Sequence, residues 1–131
     1  MRIPSSHTDL LRDETRAFLF LATTMPDGSP QLTPMWFSYS EPHILINTAE
    51  GRVKDRNMRR RPRVALCIPD PASPYRYVQF RGRVVGREYQ GADEHIDALS
   101  HKYRGASWVP REGQIRVLYR ILPESMDVRS D

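Results

Sequence analysis

Leu45-Ile46-Asn47-Thr48-Ala49-Glu50-Gly51-Arg52-Val53-Lys54-Asp55-Arg56-Asn57 is the stretch on which the reading of this chain turns. A short apolar strand breaks at Asn47-Thr48, the chain turns through Gly51, and a helix carrying Arg52 and Lys54 begins. The first N–H groups of a helix have no intrahelical acceptor, and its dipole favours negative charge there. With a hydroxyl, an amide and two cations beside them, such donors make a cradle for a phosphate. Seven of the twelve residues 52–63 are basic, and Asp55 is the only acid among them. For Arg56, Arg59, Arg60 and Arg61 a solvated helix face is an equally good reading. For Arg52 and Lys54 the turn favours anion binding.

Outward from this stretch, the pattern is of short strands and sharp turns. Residues 6–11 open an amphipathic helix, with Ser6 or Thr8 as its cap and Leu10 and Leu11 on the buried side. Residues 17–24 form a strand, and Pro26-Asp27-Gly28-Ser29-Pro30 is a turn. Residues 31–39 alternate as one strand, with Thr33, Met35, Phe37 and Tyr39 on one face. Pro34 cannot donate to a ladder, so it marks an edge, a bulge or a departure from the neighbour. Further strands are expected at 43–48, 64–68, 75–88 and 115–121, and helices at 52–60 and 91–103. In the third of these strands Tyr77, Gln79, Arg81 and Arg83 alternate with Val78, Phe80 and Gly82, and in the last Ile115, Val117, Tyr119 and Ile121 alternate with Arg116, Leu118 and Arg120. The expected architecture is a mainly β, compact antiparallel barrel with a few helices.

Composition narrows the function classes. The 131 residues fit one domain, divided as an N-terminal helix (1–16), a barrel with inserted helices (17–123) and a tail (124–131). A net charge of +4 from 18 Arg and 2 Lys against 16 acids favours anionic partners. Nucleic acid is not expected, because Phe18, Phe20, Phe37 and Phe80 fall at core-like strand positions rather than between the basic residues. No apolar window has membrane-spanning length and no signal-peptide pattern opens the chain, so a cytoplasmic location is expected. The lone Cys67 reads as a buried structural thiol. His7, His43, His95 and His101 are too scattered to ligate a metal, and His95 and His101 read as solvated. Trp36 reads as core packing. Trp108, in a Gly/Ser/Pro loop, could cap a cofactor or an interface.

Three segments in this order resemble the pyridoxamine-phosphate-oxidase-like, or flavin split-barrel, superfamily. The first is Leu21-Ala22-Thr23-Thr24 with Asp27 to Phe37, similar to its opening hairpin. The second is Ile46-Asn47-Thr48 with Arg52-Val53-Lys54, Asn57, Arg60 and Pro62, similar to its phosphate-gripping strand, turn and helix. The third is Val78-Gln79-Phe80-Arg81-Gly82-Arg83-Val84, similar to its central barrel strand. The resemblance implies a six-stranded antiparallel split β-barrel of the FMN-binding type, a homodimer with cofactors at the subunit interface.

Carried across, Arg52 and Lys54 match the phosphate-binding cations, with Val53 between them. Asn47 and Thr48 match the strand end beside the cofactor, and Gln31, Thr33 and Met35 the strand beneath its ring. Tyr75 and Tyr77 fall near positions from which a second subunit covers the cofactor. The oxidases extend into a C-terminal substrate-binding segment, whereas here the last strand runs into residues 122–127, and Tyr77 stands where they tend to carry Gln. The short, Arg-rich form looks more like the deazaflavin-dependent branch. It implies an oxidoreductase passing hydride from reduced coenzyme F420 to a small unsaturated acceptor. FMN is the second cofactor, and non-catalytic storage of a flavin, deazaflavin or haem the third reading. No residue stands out as a general acid.

Overall fold

The computed structural model describes residues 2–130. Seven strands form one antiparallel sheet: β1 (Leu19–Thr24), β2 (Pro30–Met35), β3 (Ser38–Ser40), β4 (His43–Ala49), β5 (Arg63–Asp70), β6 (Ser73–Glu88) and β7 (Arg116–Ser130). Helix α1 (Val53–Arg60) follows β4, and α2 (Ala92–Arg104) joins β6 to β7. Strand order across the sheet is β2-β1-β5-β6-β7-β4-β3.

That order decides the shape. β2 and β3 occupy opposite edges of the sheet, yet only Trp36 and Phe37 separate Met35 from Ser38. Three Cα steps span no more than about 11 Å. The sheet must therefore curl until its edges nearly meet, which is a barrel with a seam. Residues 31–39 are thus two strands rather than the single one expected, which raises the count from six to seven. Pro34 lies on the edge strand, where a missing N–H costs no ladder bond.

Inside the barrel, Leu19, Leu21, Phe37, Ile44, Ile46, Met58, Ile68, Val78, Phe80, Val117, Tyr119 and Ile121 form one core. The alternation expected for residues 77–83 holds: Val78, Phe80 and Gly82 are buried, while Gln79, Arg81 and Arg83 face solvent. A Cβ on Gly82 would lie 2.2 Å from the Leu122 carbonyl oxygen, so only glycine fits where β6 shifts register against β7.

Four expectations fail, each for a physical reason. Residues 124–130 are not a tail, because β7 continues to Ser130 and pairs with β6 as far as Arg76. The N-terminal helix is two short 3-10 turns, Ser5–Leu11 and Asp13–Thr15, with Pro4 rather than a capping side chain before the first. Leu10 and Leu11 are buried as expected. Phe18 and Phe20 are 48% and 38% exposed, because they lie on the outer face of the barrel with Leu32. Arg116 to Tyr119 are buried without alternation, since α2 and the site described below cover the outer face of β7.

Candidate functional site

β4 delivers Asn47 and Thr48 to its C-terminal end, and the chain then turns through Gly51 into α1. Gly51 has φ +91°, a left-handed conformation that suits glycine. The turn is fastened from below by Asp55, a fully buried carboxylate. Its Oδ2 accepts the Gly51 N–H at 2.9 Å, and its Oδ1 accepts the Tyr119 hydroxyl at 2.5 Å and Arg87 Nε at 3.0 Å. Arg87 also pairs with Glu50 at 3.6 Å and lies 5.0 Å from the Tyr89 ring centroid. Burial opposes ionisation of Asp55, but the bonds from Arg87, Tyr119 and Gly51 outweigh it and hold its pKa below the usual value. No side chain caps α1, so its first-turn N–H groups remain available.

Above this turn lies a cavity of about 330 Å³. One wall is apolar and aromatic: Phe18, Pro34, Met35, Trp36, Ile96, Leu99 and Trp108. The Trp36 ring stacks on Tyr103 at 5.3 Å and meets Trp108 edge-on at 6.3 Å. The lining also carries Arg52, Lys54, Arg111 and Arg116, together with Asn47 and Thr48. None of these four cations forms an ion pair among the described residues. Burial, then Arg52 and Arg116, lowers the pKa of Lys54. Burial, then Arg52 and Arg111, pushes Arg116 down to about 10. Two partly desolvated cations, Lys54 and Arg116, beside exposed Arg52 and Arg111 in a lining that holds no carboxylate form a site that an anion would relieve.

Of the residues expected from the sequence, Met35, Asn47, Thr48, Arg52 and Lys54 line this one cavity. Val53 is half-buried at the start of α1 and is not part of the lining. Gln31 and Thr33 face inward on β2 but stand away from the lining; Gln31 Oε1 instead accepts the Thr23 hydroxyl at 3.0 Å. Tyr75, 76% exposed, and the half-buried Tyr77 lie on β6 and do not line this cavity. Arg61 is structural, donating to Thr24 O at 2.7 Å and Asn57 Oδ1 at 3.2 Å. Arg56, Arg59 and Arg60 are exposed along a cleft of about 390 Å³.

Arg116 and His95 escaped sequence reading. Arg116 stood in an alternating strand and looked like its solvent face. His95 is not solvated: its Nε2 lies 2.9 Å from Ser38 Oγ and its Nδ1 lies 3.2 Å from Asn47 Nδ2. Burial, then Arg120, Arg116 and Lys102, pushes its pKa down to about 4. Trp108 contributes to the cavity wall beside Arg116, whose guanidinium lies 5.1 Å from the indole centroid.

A larger depression, about 650 Å³, lies on the outer face around Thr24, Arg63, Arg81 and Arg83. It holds its own carboxylate, Glu124, paired with Arg83 at 3.0 Å, and no helix starts there. Size alone would select it, but chemistry selects the smaller cavity.

Comparison against known proteins identifies the family of this barrel. The family profile described as pyridoxamine 5'-phosphate oxidase matches residues 7–126. The chain belongs to that family. A solved structure named F420 reductase superposes with a TM-score of 0.85 at 30% identity, over 95% of this chain and 98% of the other. A conserved hypothetical protein from Mycobacterium tuberculosis gives 0.76 at 24% identity, covering 98% and 86%. A Group A Streptococcus protein, HupZ, gives 0.70 at 16% identity, covering 97% and 94%. The last two likenesses speak to the fold alone.

The family's flavin or deazaflavin cofactors fit the residues present. Thr48 Oγ1 is buried, has no hydrogen-bond partner and belongs to the cavity lining. An unsatisfied hydroxyl beside uncompensated cations suits a polar, anionic ligand. Among the described residues no helix is long and apolar enough to cross a membrane.

Proposed function

We propose that this chain is an oxidoreductase that uses coenzyme F420 to reduce a small unsaturated or conjugated acceptor. One observation carries the reading: Arg52, Lys54, Arg111 and Arg116 share the carboxylate-free lining of one cavity with a set of apolar and aromatic side chains. Kinship with the F420 reductase structure supports the choice of cofactor.

In this reading Arg52, Lys54 and the first-turn N–H groups of α1 hold the phosphodiester. Charge-assisted hydrogen bonds of this kind contribute about 1.5–3 kcal/mol each. Asn47, Thr48 and Met35 sit beside the ring, while Trp36 and Trp108 exclude water from it. Exposed Arg56, Arg59 and Arg60 attract the acidic oligoglutamate tail through their field rather than through fixed contacts. When bound, the reduced deazaflavin supplies hydride from its ring carbon; the protein supplies binding, orientation and electrostatics. No side chain in the cavity is required as a general acid. Water, or Tyr75 or Tyr77, delivers the proton.

Tyr75 and Tyr77 can take part only from a second subunit, since they lie outside this chain's own cavity. A homodimer is supported by the exposed outer-face residues Phe18, Phe20 and Leu32, with Phe18 and Pro34 continuing into the cavity lining. Sedimentation of the purified protein at twice the chain mass is the expected result.

The same cations would hold the phosphate monoester of FMN, which is the second reading. Fluorescence titration with oxidised and reduced F420 and with FMN separates the two. Saturable F420 binding and turnover of a panel of conjugated acceptors support the proposal. Tight FMN binding without F420 binding replaces it, and binding without turnover of any acceptor leaves only a carrier.

A further inference from the structure

Arg116 reaches the cavity through a chain of hydrogen bonds that begins on α2. The Asn47 Nδ2 amide group has two hydrogens. One goes to Ala92 O at 2.8 Å and the other to His95 Nδ1 at 3.2 Å. His95 Nδ1 must then be a bare acceptor, which leaves its proton on Nε2, directed at Ser38 Oγ at 2.9 Å. The opposite end of the Asn47 amide, Oδ1, accepts Arg116 Nε at 2.8 Å. Arg116 Nη1 donates to Gln114 Oε1 at 2.9 Å. The guanidinium lies over Trp108, and among the described residues no hydrogen-bond acceptor is paired with its Nη2.

An amide alone does not know which way round to lie. If Asn47 were flipped, its NH2 would meet the Arg116 N–H and its oxygen would meet both the Ala92 carbonyl and the His95 lone pair, three repulsive contacts in a buried space. The Ala92 carbonyl and a neutral imidazole with a free Nδ1 therefore select together the one orientation that can hold Arg116, and His95 adds the second of the two anchors on the NH2 end. A protonated or Nδ1–H histidine would not add it. The charged groups around the ring are Arg116 and Arg120 on β7 and Lys102 on α2, all cations, which favours the neutral form.

We propose that His95, acting through the Asn47 amide, is a positioning residue that aims the free edge of Arg116 at the anion held in the cavity. This rests on the proposed reading of the cavity as an anion-binding cofactor site. It adds a third determinant of affinity, on an element remote from the phosphate turn.

The test begins with the unliganded, 15N-labelled protein, so that its outcome does not depend on the cofactor. Long-range 15N correlation should show His95 as the Nε2–H tautomer at neutral pH. His95→Leu should displace the Arg116 Nε–H and Trp108 indole resonances. His95→Gln, which can accept from Asn47 and donate to Ser38, should leave them near their original positions.

FMN and F420 then serve as probes. His95→Leu should weaken binding by about fivefold, through loss of aim in one charge-assisted hydrogen bond. The same substitution should cost nothing further in an Arg116→Gln background, and His95→Gln should restore affinity. An Nδ1–H tautomer, or Arg116 and Trp108 resonances unmoved by His95→Leu, overturns the relay. Additive losses from His95→Leu and Arg116→Gln overturn it as well. If neither probe binds any form, the cofactor reading falls, and the resonances still decide whether His95 positions Arg116.

Discussion

Arg87 and Arg116 are the same side chain in nearly the same setting, and they do opposite things. Each sits on a barrel strand, lies against an aromatic ring and bonds to a neighbour through Nε. Arg87 faces Asp55 and Glu50, and despite its burial Asp55, with the Tyr89 and Tyr119 hydroxyls, raises its pKa well above the ordinary value. Arg116 bonds to Asn47, and burial, then Arg52 and Arg111, outweighs the opposing field of Asp93 and brings its pKa down to about 10. The difference separates a cation placed for stability from one placed for a ligand. A buried charge paired with its counter-ion is finished, whereas one without an ion pair and with cations as its stronger neighbours can take an anion. By this criterion the cluster at Asp55 is the foundation and the cluster at Arg116 is the site.

The sharpest way to break the contrast is Asp55→Ala. It strands Arg87 and unfastens the Gly51 turn, and removing one partner of a buried pair costs about 3–5 kcal/mol. Thermal unfolding should shift down by about 10 °C or more. The same carboxylate sets an acid limit. Because its folded pKa is depressed, its contribution is complete above the unfolded value of about 3.9 and vanishes as pH falls through the folded one. Urea unfolding between pH 5 and 2 should show this limb, and Asp55→Asn should lack it.

Next in size is the double substitution Arg52→Ala with Lys54→Ala. It should weaken cofactor binding by about tenfold or more while leaving the unfolding midpoint unchanged. Isothermal titration and thermal unfolding on one preparation check both halves. Arg116→Gln should reduce affinity by about five- to tenfold and cost no more than about 0.5 kcal/mol of stability, since it relieves repulsion as it loses a bond. Stability loss comparable to that of Asp55→Ala would erase the distinction between the two arginines. The smallest effect belongs to Arg59→Ala, less than about twofold, because an exposed charge acts through a screened field. Equal losses from Arg59→Ala and from the double variant would mean that overall charge, rather than a pocket, governs affinity.

The turn between β4 and α1 was legible because it is local: Asn47, Thr48, Arg52 and Lys54 are neighbours in sequence and line one cavity. The barrel was legible for a similar reason, through turns and alternation. What escaped depended on the far side of the fold. The burial of Arg116 follows from α2 and the 105–115 loop, and strand periodicity contains no trace of either. His95 looked solvated because a helical face does not disclose which strand it meets. Residues 124–130 lack strong alternation, yet β6 is long enough to pair with them as far as Ser130. The exposure of Phe18 and Phe20 could not be separated from burial, since aromatic residues on a strand suit either face.

The passage through Trp36 and Phe37 carries one more consequence. Tyr103 receives the Phe37 N–H and donates to Ala17 O, and Lys102 Nζ donates to Phe37 O at 2.8 Å, so α2 clasps the crossing in place. With so little slack between the two outermost ladders, displacing the Trp36 indole to admit a bulkier guest pulls on both at once. Deuterium uptake at the amides of Thr33 and Met35 should therefore rise and fall in step with uptake at Tyr39 and Ser40, although these pairs border opposite margins of the sheet.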